Sequence, residues 1–482
     1  VASVLYYVFR VYVVIKLHKN LPIKKYVKYK SLGRPKIAIS QLARVLSLYG
    51  YNECKGMYMK VLKKIRNFFR ILGPGLVTGA ADDDPSGIAT YSQTGAQFGL
   101  GQLWVVLYVL PFMVAIQEAC ARVGAVTGKG LAGALRDNYS ATLVRVLVGL
   151  VLIANTINIG ADIGAMAAAL HLVLPVSFII LILLLTATML FLEIFVTYQK
   201  YSQILKWLSL SLLVYPLTML IVAEPWGALL KASIIPQITW NFDYFFIITA
   251  VFGTTISPYM FFWEASQVVE EEREKGLIDA QGHVHITPKF MRNLRIDNFC
   301  GMFFSQIATW SIIVVAATVL HQHGITDVKT SADAAKALEP LVQSFPHAGY
   351  LSEVLFAIGI VGLGALAVPV LAASVAYPMS EVFGWKSGLA LKLNDAFGFY
   401  GVITMATLVG LCINFIGIDP IKALVYTAVI NGIVAVPLIF FIALTANSKK
   451  IMGKYKSGIW SNSLVWGTFI IMAASALGMI FT

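Results

Sequence analysis

Residues 73–99 read GPGLVTGAADDDPSGIATYSQTGAQFG, a membrane-length run interrupted near its centre by Asp82, Asp83 and Asp84, then Pro85, Ser86 and Gly87. Proline removes a backbone donor and glycine tolerates non-helical angles, so a helix entering this stretch is expected to unwind and restart. Residues 250–266, AVFGTTISPYMFFWEAS, repeat the device with Gly253, Thr254, Ser257 and Pro258. Irregular backbone at membrane depth survives only where it is buried in protein or lines a watery cavity. An intramembrane carboxylate costs about 2.5–3.5 kcal/mol or more unless it finds a partner. Two such breaks, five spans apart, point to an inverted-repeat transporter with a midplane site rather than to a pair of incidental proline kinks.

Working outward, the whole chain has the composition this reading needs. It is 58% hydrophobic and 13% charged, where a soluble domain runs at roughly 45–50% and about 25%. Apolar runs of membrane-crossing length fall at 73–100, 103–122, 144–170, 176–196, 203–223, 245–268, 298–320, 351–380, 397–416, 421–445 and 460–481. These are numbered spans 1 to 11, and the expected class is an all-α integral membrane protein. The net charge of +13 sits in loops between the apolar runs, which argues for membrane topology and against a nucleic-acid partner. One set of loops holds Arg122, Lys129, Arg136, Arg145, Lys200, Lys206, Arg273, Lys275, Lys289, Arg292, Arg295, Lys386, Lys392, Lys449, Lys450, Lys454 and Lys456. The opposite set holds Lys231, Lys329 and Lys336. The basic side is expected to be cytoplasmic, with the amino end inside, the carboxyl end outside, and the cell membrane as the location. Cys54, Cys120, Cys300 and Cys412 stand alone, without a disulfide or zinc pattern. Residues 1–56 contain no Met, and the apolar stretch VLYYVFRVYVVI is too short to span. They are read as an upstream extension or an interfacial segment, with the functional start at Met57 or Met59 and the transporter domain at 57–482.

The motifs resemble one family. DPSG at 84–87 is similar to the DPGN motif in the first helix of the natural resistance-associated macrophage protein (Nramp) family of metal transporters. QEACARVGAVTGKGLAGALRDNY at 117–139 resembles that family's second span and following loop, and KALVYTAVINGIVAVPLIFFIALTANSKKIMG at 422–453 its tenth span and basic loop. The resemblance covers about 59–482. It implies a leucine-transporter-like core: an inverted repeat of spans 1–5 (about 73–223) and 6–10 (about 245–445), discontinuous spans 1 and 6, and an appended span 11.

Departures from the family pattern bear on the cargo. Relatives selecting Mn²⁺ and Fe²⁺ are expected to use the Asp and Asn of DPGN, a Met before the span 6 proline, and backbone carbonyls of both breaks. Asp84 keeps the Asp, while Gly87 replaces the Asn and Ser257 replaces the Met. Losing the thioether removes the soft ligand, and Gly87 is expected to leave room for water. Mg²⁺ keeps several waters and is typically held by one or two carboxylates. The pattern therefore resembles the Nramp-related branch of Mg²⁺ transporters. The implied ligands are the Asp84 carboxylate, the Ser257 hydroxyl and the carbonyls of Ala81 and Thr254, with Gly87 shaping the site.

Five other residues are candidates for the ion pathway. Asp82 and Asp83 either attract the ion on the cytoplasmic side of the break or serve as a helix cap or a basic-residue partner. Glu264, two turns beyond Ser257, is an exit-path candidate against a structural pair. Tyr259 stands where the family has a His, and Asp162 is what is left of an acidic pair in span 3, its partner position being Ile159. Asp162 is a candidate proton carrier or transient metal ligand, weighed against a buried Asp held by Asn155 or Asn158. Glu270, Glu271, Glu272 and Arg273 read as a solvated helix end, Glu118 and Glu193 as snorkelling or paired charges, and the HxH pairs His283/His285 and His321/His323 as loop histidines. No Lys, Arg or His occurs from 396 to 420.

The expected function is Mg²⁺ uptake by a proton-uncoupled, voltage-driven uniport. The alternatives are a proton-coupled Mn²⁺/Fe²⁺ symporter and an organic-solute carrier of the same fold. No hydrolase signature is present, so an enzyme is not expected. No resident cofactor is implied, the ion being cargo, the lipid bilayer being the only other partner, and a monomer suffices.

Overall fold

The computed structural model describes residues 78–79, 81–196, 212–222, 226–279 and 284–482. The expectations for 1–56, for a start at Met57 or Met59, for Lys200, Lys206 and His283, and for the first half of span 5 lie outside the described residues. Among the described residues, eight helices are long and apolar enough to cross a membrane. They are Trp104–Thr127, Ala141–Val173, Phe178–Phe195, the broken pair within Phe242–Glu274, Pro288–His323, Ala348–Phe383, Pro420–Asn447 and Ile459–Phe481. Phe397–Ile413 is a shorter apolar helix. Pro85–Phe98 and Val214–Ile221 belong to spans 1 and 5, and together these correspond to the eleven runs of the sequence.

Local chemistry sets where the helices begin. Ser140, Asn241, Thr287 and Asp419 each accept a hydrogen bond from a backbone N–H in the first turn of spans 3, 6, 7 and 10. Pro288 and Pro420 follow two of these caps, where a missing N–H costs nothing. Span 7 begins ten residues earlier than its apolar run because Thr287 and Pro288, rather than hydropathy, start the helix.

Burial orders the spans. The apolar window of span 6 is 94% buried, whereas those of spans 4 and 11 are 33% and 22% buried. Span 6 is therefore enclosed by its neighbours, and spans 4 and 11 turn large side chains such as Leu184, Phe191 and Ile470 outward. Close approach around span 6 depends on small residues. A Cβ on Gly253 would lie 1.9 Å from the Ala428 carbonyl oxygen and 2.3 Å from the Gly432 nitrogen, so spans 6 and 10 meet backbone to backbone. Span 3 packs along span 8, and the second half of span 1 along span 7.

Candidate metal-ion site

Both expected breaks are present. Residues 81–82 are helical, Asp83 and Asp84 leave the helix, and a new helix runs over Pro85–Phe98. In span 6, Phe242–Thr255 ends at Ile256, Ser257 is extended with φ −74° and ψ 133°, and Pro258–Glu274 begins. Each proline frees a particular carbonyl. In a continuous helix the nitrogen of residue i donates to the carbonyl of i−4, so Pro85 releases the Ala81 oxygen and Pro258 releases the Thr254 oxygen. These are the two carbonyls expected as ligands.

Asp84 sits at the convergence. It caps Pro85–Phe98, its Oδ1 accepting from the Gly87 nitrogen at 2.8 Å and the Ser86 hydroxyl at 2.5 Å. Its Oδ2 accepts from Asn158 Nδ2 at 3.1 Å and from the Tyr259 hydroxyl at 3.4 Å. Tyr259 also reaches the Ala81 carbonyl at 3.2 Å. The Ser257 hydroxyl lies 2.6 Å from the Thr254 carbonyl and 2.9 Å from that of Gly253. Ser86 Oγ and Thr254 Oγ1 approach to 3.3 Å and join the two breaks. The site is thus one carboxylate set among hydroxyls, an amide and released carbonyls, all buried. Such a set suits a hard cation that retains part of its water. Among the described residues no group of three His, Cys, Asp or Glu side chains gathers into a metal cage.

Several expectations need correction. Gly87 does not leave open volume: a Cβ there would sit 3.2 Å from Tyr91 Cε2 and 3.3 Å from Thr254 Oγ1, because neighbouring side chains fill the space. Among the described residues, Asp82 and Asp83 neither cap the helix nor bond a basic residue. Asp82 accepts from Ser305 at 3.1 Å and Asp83 from Thr309 at 3.4 Å, both on span 7, since the cap position falls to Asp84. Asp162 is not held by its asparagines. Asn155 donates to the Leu371 carbonyl and Asn158 to Asp84, leaving both Asp162 oxygens without a hydrogen-bond partner among the described residues. Asp162 is fully buried and close enough to Asp84 to interact electrostatically.

Glu264 is 2% exposed and accepts from the Thr78 hydroxyl at 2.6 Å, linking span 6 to the segment of span 1 before its break. Glu118 is paired, with Arg122 at 3.1 Å and Arg295 at 2.9 Å, whereas Glu193 is buried and neither snorkels nor pairs among the described residues. The span 6 end is not uniformly solvated: Glu270 accepts from the Tyr377 hydroxyl and the Leu389 nitrogen, and Glu272 is fully buried. Those contacts come from span 8 and the loop after it, which proximity in sequence does not reveal. Asn158, Ser86, Ser305 and Thr309 were not singled out as site residues. Asn158 was detectable in principle, since it precedes Asp162 by one helical turn on the same face.

Comparison with known proteins gives the family and the fold. The family model described as natural resistance-associated macrophage protein-like (Nramp) matches residues 75–482. The divalent metal cation transporter MntH of Klebsiella pneumoniae subsp. pneumoniae is 28% identical over 413 residues, 84% of this chain and 92% of the relative. MntH 1 of Pseudomonas aeruginosa is 23% identical, over 86% and 92% of the two chains. Among solved structures, the manganese transporter of Eremococcus coleocola superposes with TM-score 0.67 at 16% identity, over 86% of each chain. MhsT in complex with L-phenylalanine gives TM-score 0.56 at 10% identity, over 84% of this chain and 97% of that one. The fold is the all-helical, leucine-transporter-like one. With the family model spanning nearly all of the transmembrane region and both helix breaks in place, the chain belongs to the Nramp family of transporters.

Proposed function

We propose that this chain carries a divalent metal cation across the membrane through the gap between the broken spans 1 and 6, with Asp84 as its charged ligand. The observation that carries this is the buried Asp84 carboxylate, joined by the Tyr259 hydroxyl to the proline-released Ala81 carbonyl and by Ser86 to Thr254 of the second break, where the Ser257 hydroxyl lies on the Thr254 carbonyl. A solute carboxylate is disfavoured at this point. The amino end of Pro85–Phe98, which could have bound one, is already occupied by the protein's own Asp84.

The names of the relatives, divalent metal cation transporter and manganese transporter, support Mn²⁺ as cargo. Asp162, buried one turn beyond the Asn158 that donates to Asp84 and with no hydrogen-bond partner among the described residues, supports coupling to a proton. A second reading, Mg²⁺ by uncoupled uniport, draws on a different observation. The groups facing the break as prospective ligands are oxygens, octahedral oxygen sites suit Mg²⁺ as well as Mn²⁺, and Tyr259 stands in the place of a titratable His. The distribution of Lys and Arg supports an inside amino end, an outside carboxyl end and a cell-membrane location.

The test is flux into proteoliposomes, with Mn²⁺ and Mg²⁺ in parallel, for the wild type and Asp84→Ala. Removing the carboxylate should abolish flux of whichever ion is carried while the protein stays folded, its melting temperature lowered by the lost helix cap, which costs about 0.5–2 kcal/mol. Undiminished flux through a folded Asp84→Ala protein would overturn the site.

A further inference from the structure

Away from the ion site, spans 2, 7 and 11 line an open groove of about 650 Å³. Val114, Phe299 and Leu464 line its wall, and Pro111 interrupts the hydrogen-bond ladder of span 2 beside it. Its polar lining is basic. Arg122, Arg295 and Lys456 line it together with the single carboxylate of Glu118. Arg122 is nearly fully buried and committed to the protein. It bonds both oxygens of Glu118 at 3.1 Å, the Tyr455 carbonyl at 2.6 Å and the Ser457 hydroxyl at 3.0 Å. Arg295, 58% exposed, pairs with the same carboxylate at 2.9 Å, so Glu118 serves two arginines and offsets one of them, and exposed Lys456 has no ion pair among the described residues. An apolar slot beside three cations and one carboxylate, a net charge of +2 on the Lys/Arg-rich side of the membrane, is complementary to one class of molecule.

We propose that this groove is a binding site for an anionic glycerophospholipid, its phosphate on Arg295 and Lys456 and an acyl chain along Val114, Phe299 and Leu464. Charge selects the occupant. A zwitterionic lipid carries its own cation next to the phosphate, and a free phosphate gains nothing from the apolar wall. A second groove, about 990 Å³ along spans 3 and 9, lacks this bias because Lys386 and Asp395 both line it. The site has a structural consequence: the Arg122 network joins span 2 to the loop preceding span 11, and Arg295 brings span 7 to the same carboxylate. A lipid phosphate there would bridge the three spans.

The experiment titrates the purified full chain in non-ionic detergent with phosphatidylglycerol, phosphatidylcholine or inorganic phosphate, and counts bound molecules by native mass spectrometry. Phosphatidylglycerol should be retained preferentially. The double variant Arg295→Gln/Lys456→Gln should weaken it about thirtyfold, from about fivefold per basic residue. Val114→Trp, which fills the slot without altering charge, should also release it, and Lys386→Gln should not. The two charge variants lie at exposed positions and should melt like the wild type in lipid-free detergent, so lost binding is separable from lost fold. Equal retention of the two lipids, binding of inorganic phosphate as tight as that of phosphatidylglycerol, or unchanged retention by the double variant would each overturn the proposal. None of these readouts involves ion flux, so the result stands apart from the proposed cargo.

Discussion

Ser257 is the residue at which ion choice is most directly testable. Its hydroxyl already lies against the Gly253 and Thr254 carbonyls, so an ion there would meet a cluster of hard oxygens. Ser257→Met would substitute a polarizable thioether, which favours transition metals over Mg²⁺. The Mn²⁺-to-Mg²⁺ flux ratio should rise roughly tenfold, equivalent to about 1.4 kcal/mol of differential binding. The ratio is the informative readout, because overpacking a buried site costs about 1–3 kcal/mol in stability and lowers both fluxes. An unchanged ratio in a folded variant would remove Ser257 from the selectivity determinants. A Gly87→Asn side chain would meet Tyr91 and Thr254, which already press on that position.

Among the helices, the approach of span 6 to span 10 is the contact that leaves least room. Gly253→Ala would drive a methyl into the Ala428 carbonyl and the Gly432 nitrogen, and backbone cannot swing aside as a side chain can. The expected cost is at the upper end of overpacking, about 3 kcal/mol, with a matching fall in the melting temperature. Gly149, in the middle of span 3, has nothing within 4 Å of its would-be Cβ. Gly149→Ala should therefore stabilise by about 0.5–1 kcal/mol through helix propensity alone. A differential thermal-stability assay of the two variants checks the assignment. Equal behaviour would mean that the span 6–span 10 contact is looser than described. The sequence contains both glycines in similar apolar contexts, and only the packing distinguishes them.

For the molecule as a whole, coupling is the property that no single residue decides. The uniport reading rests on Tyr259 and on the absence of a basic residue from 396 to 420; the coupled reading rests on Asp162. Voltage alone is an adequate drive: a divalent ion gains about 4.6 kcal/mol across 100 mV, from about 2.3 kcal/mol per charge. Liposomes holding a pH dye separate the two. A uniport gives metal influx that follows an imposed potential without acidifying the lumen. Coupling gives acidification that scales with influx and is lost in Asp162→Asn while the protein stays folded. In that case Asp162 is the proton carrier, and the uniport reading is wrong.

The primary sequence alone determined the membrane class, the eleven runs, the two breaks and the identity of the residues within them. Those depend on hydropathy over about 20 residues and on the local backbone chemistry of proline and glycine. Resemblance to the family's motifs is what marked Asp84, Ala81, Thr254 and Ser257, all within a few residues of a proline. What needed the tertiary structure was every contact made between spans. It assigned Asn158 to Asp84 rather than to Asp162, Ser305 and Thr309 to the neighbouring aspartates, and Tyr377 to Glu270. It also showed that the space beside Gly87 is already filled. A buried polar atom bonds to whatever the packing of helices brings within about 3 Å, and that pairing is set by the whole bundle rather than by neighbours along the chain.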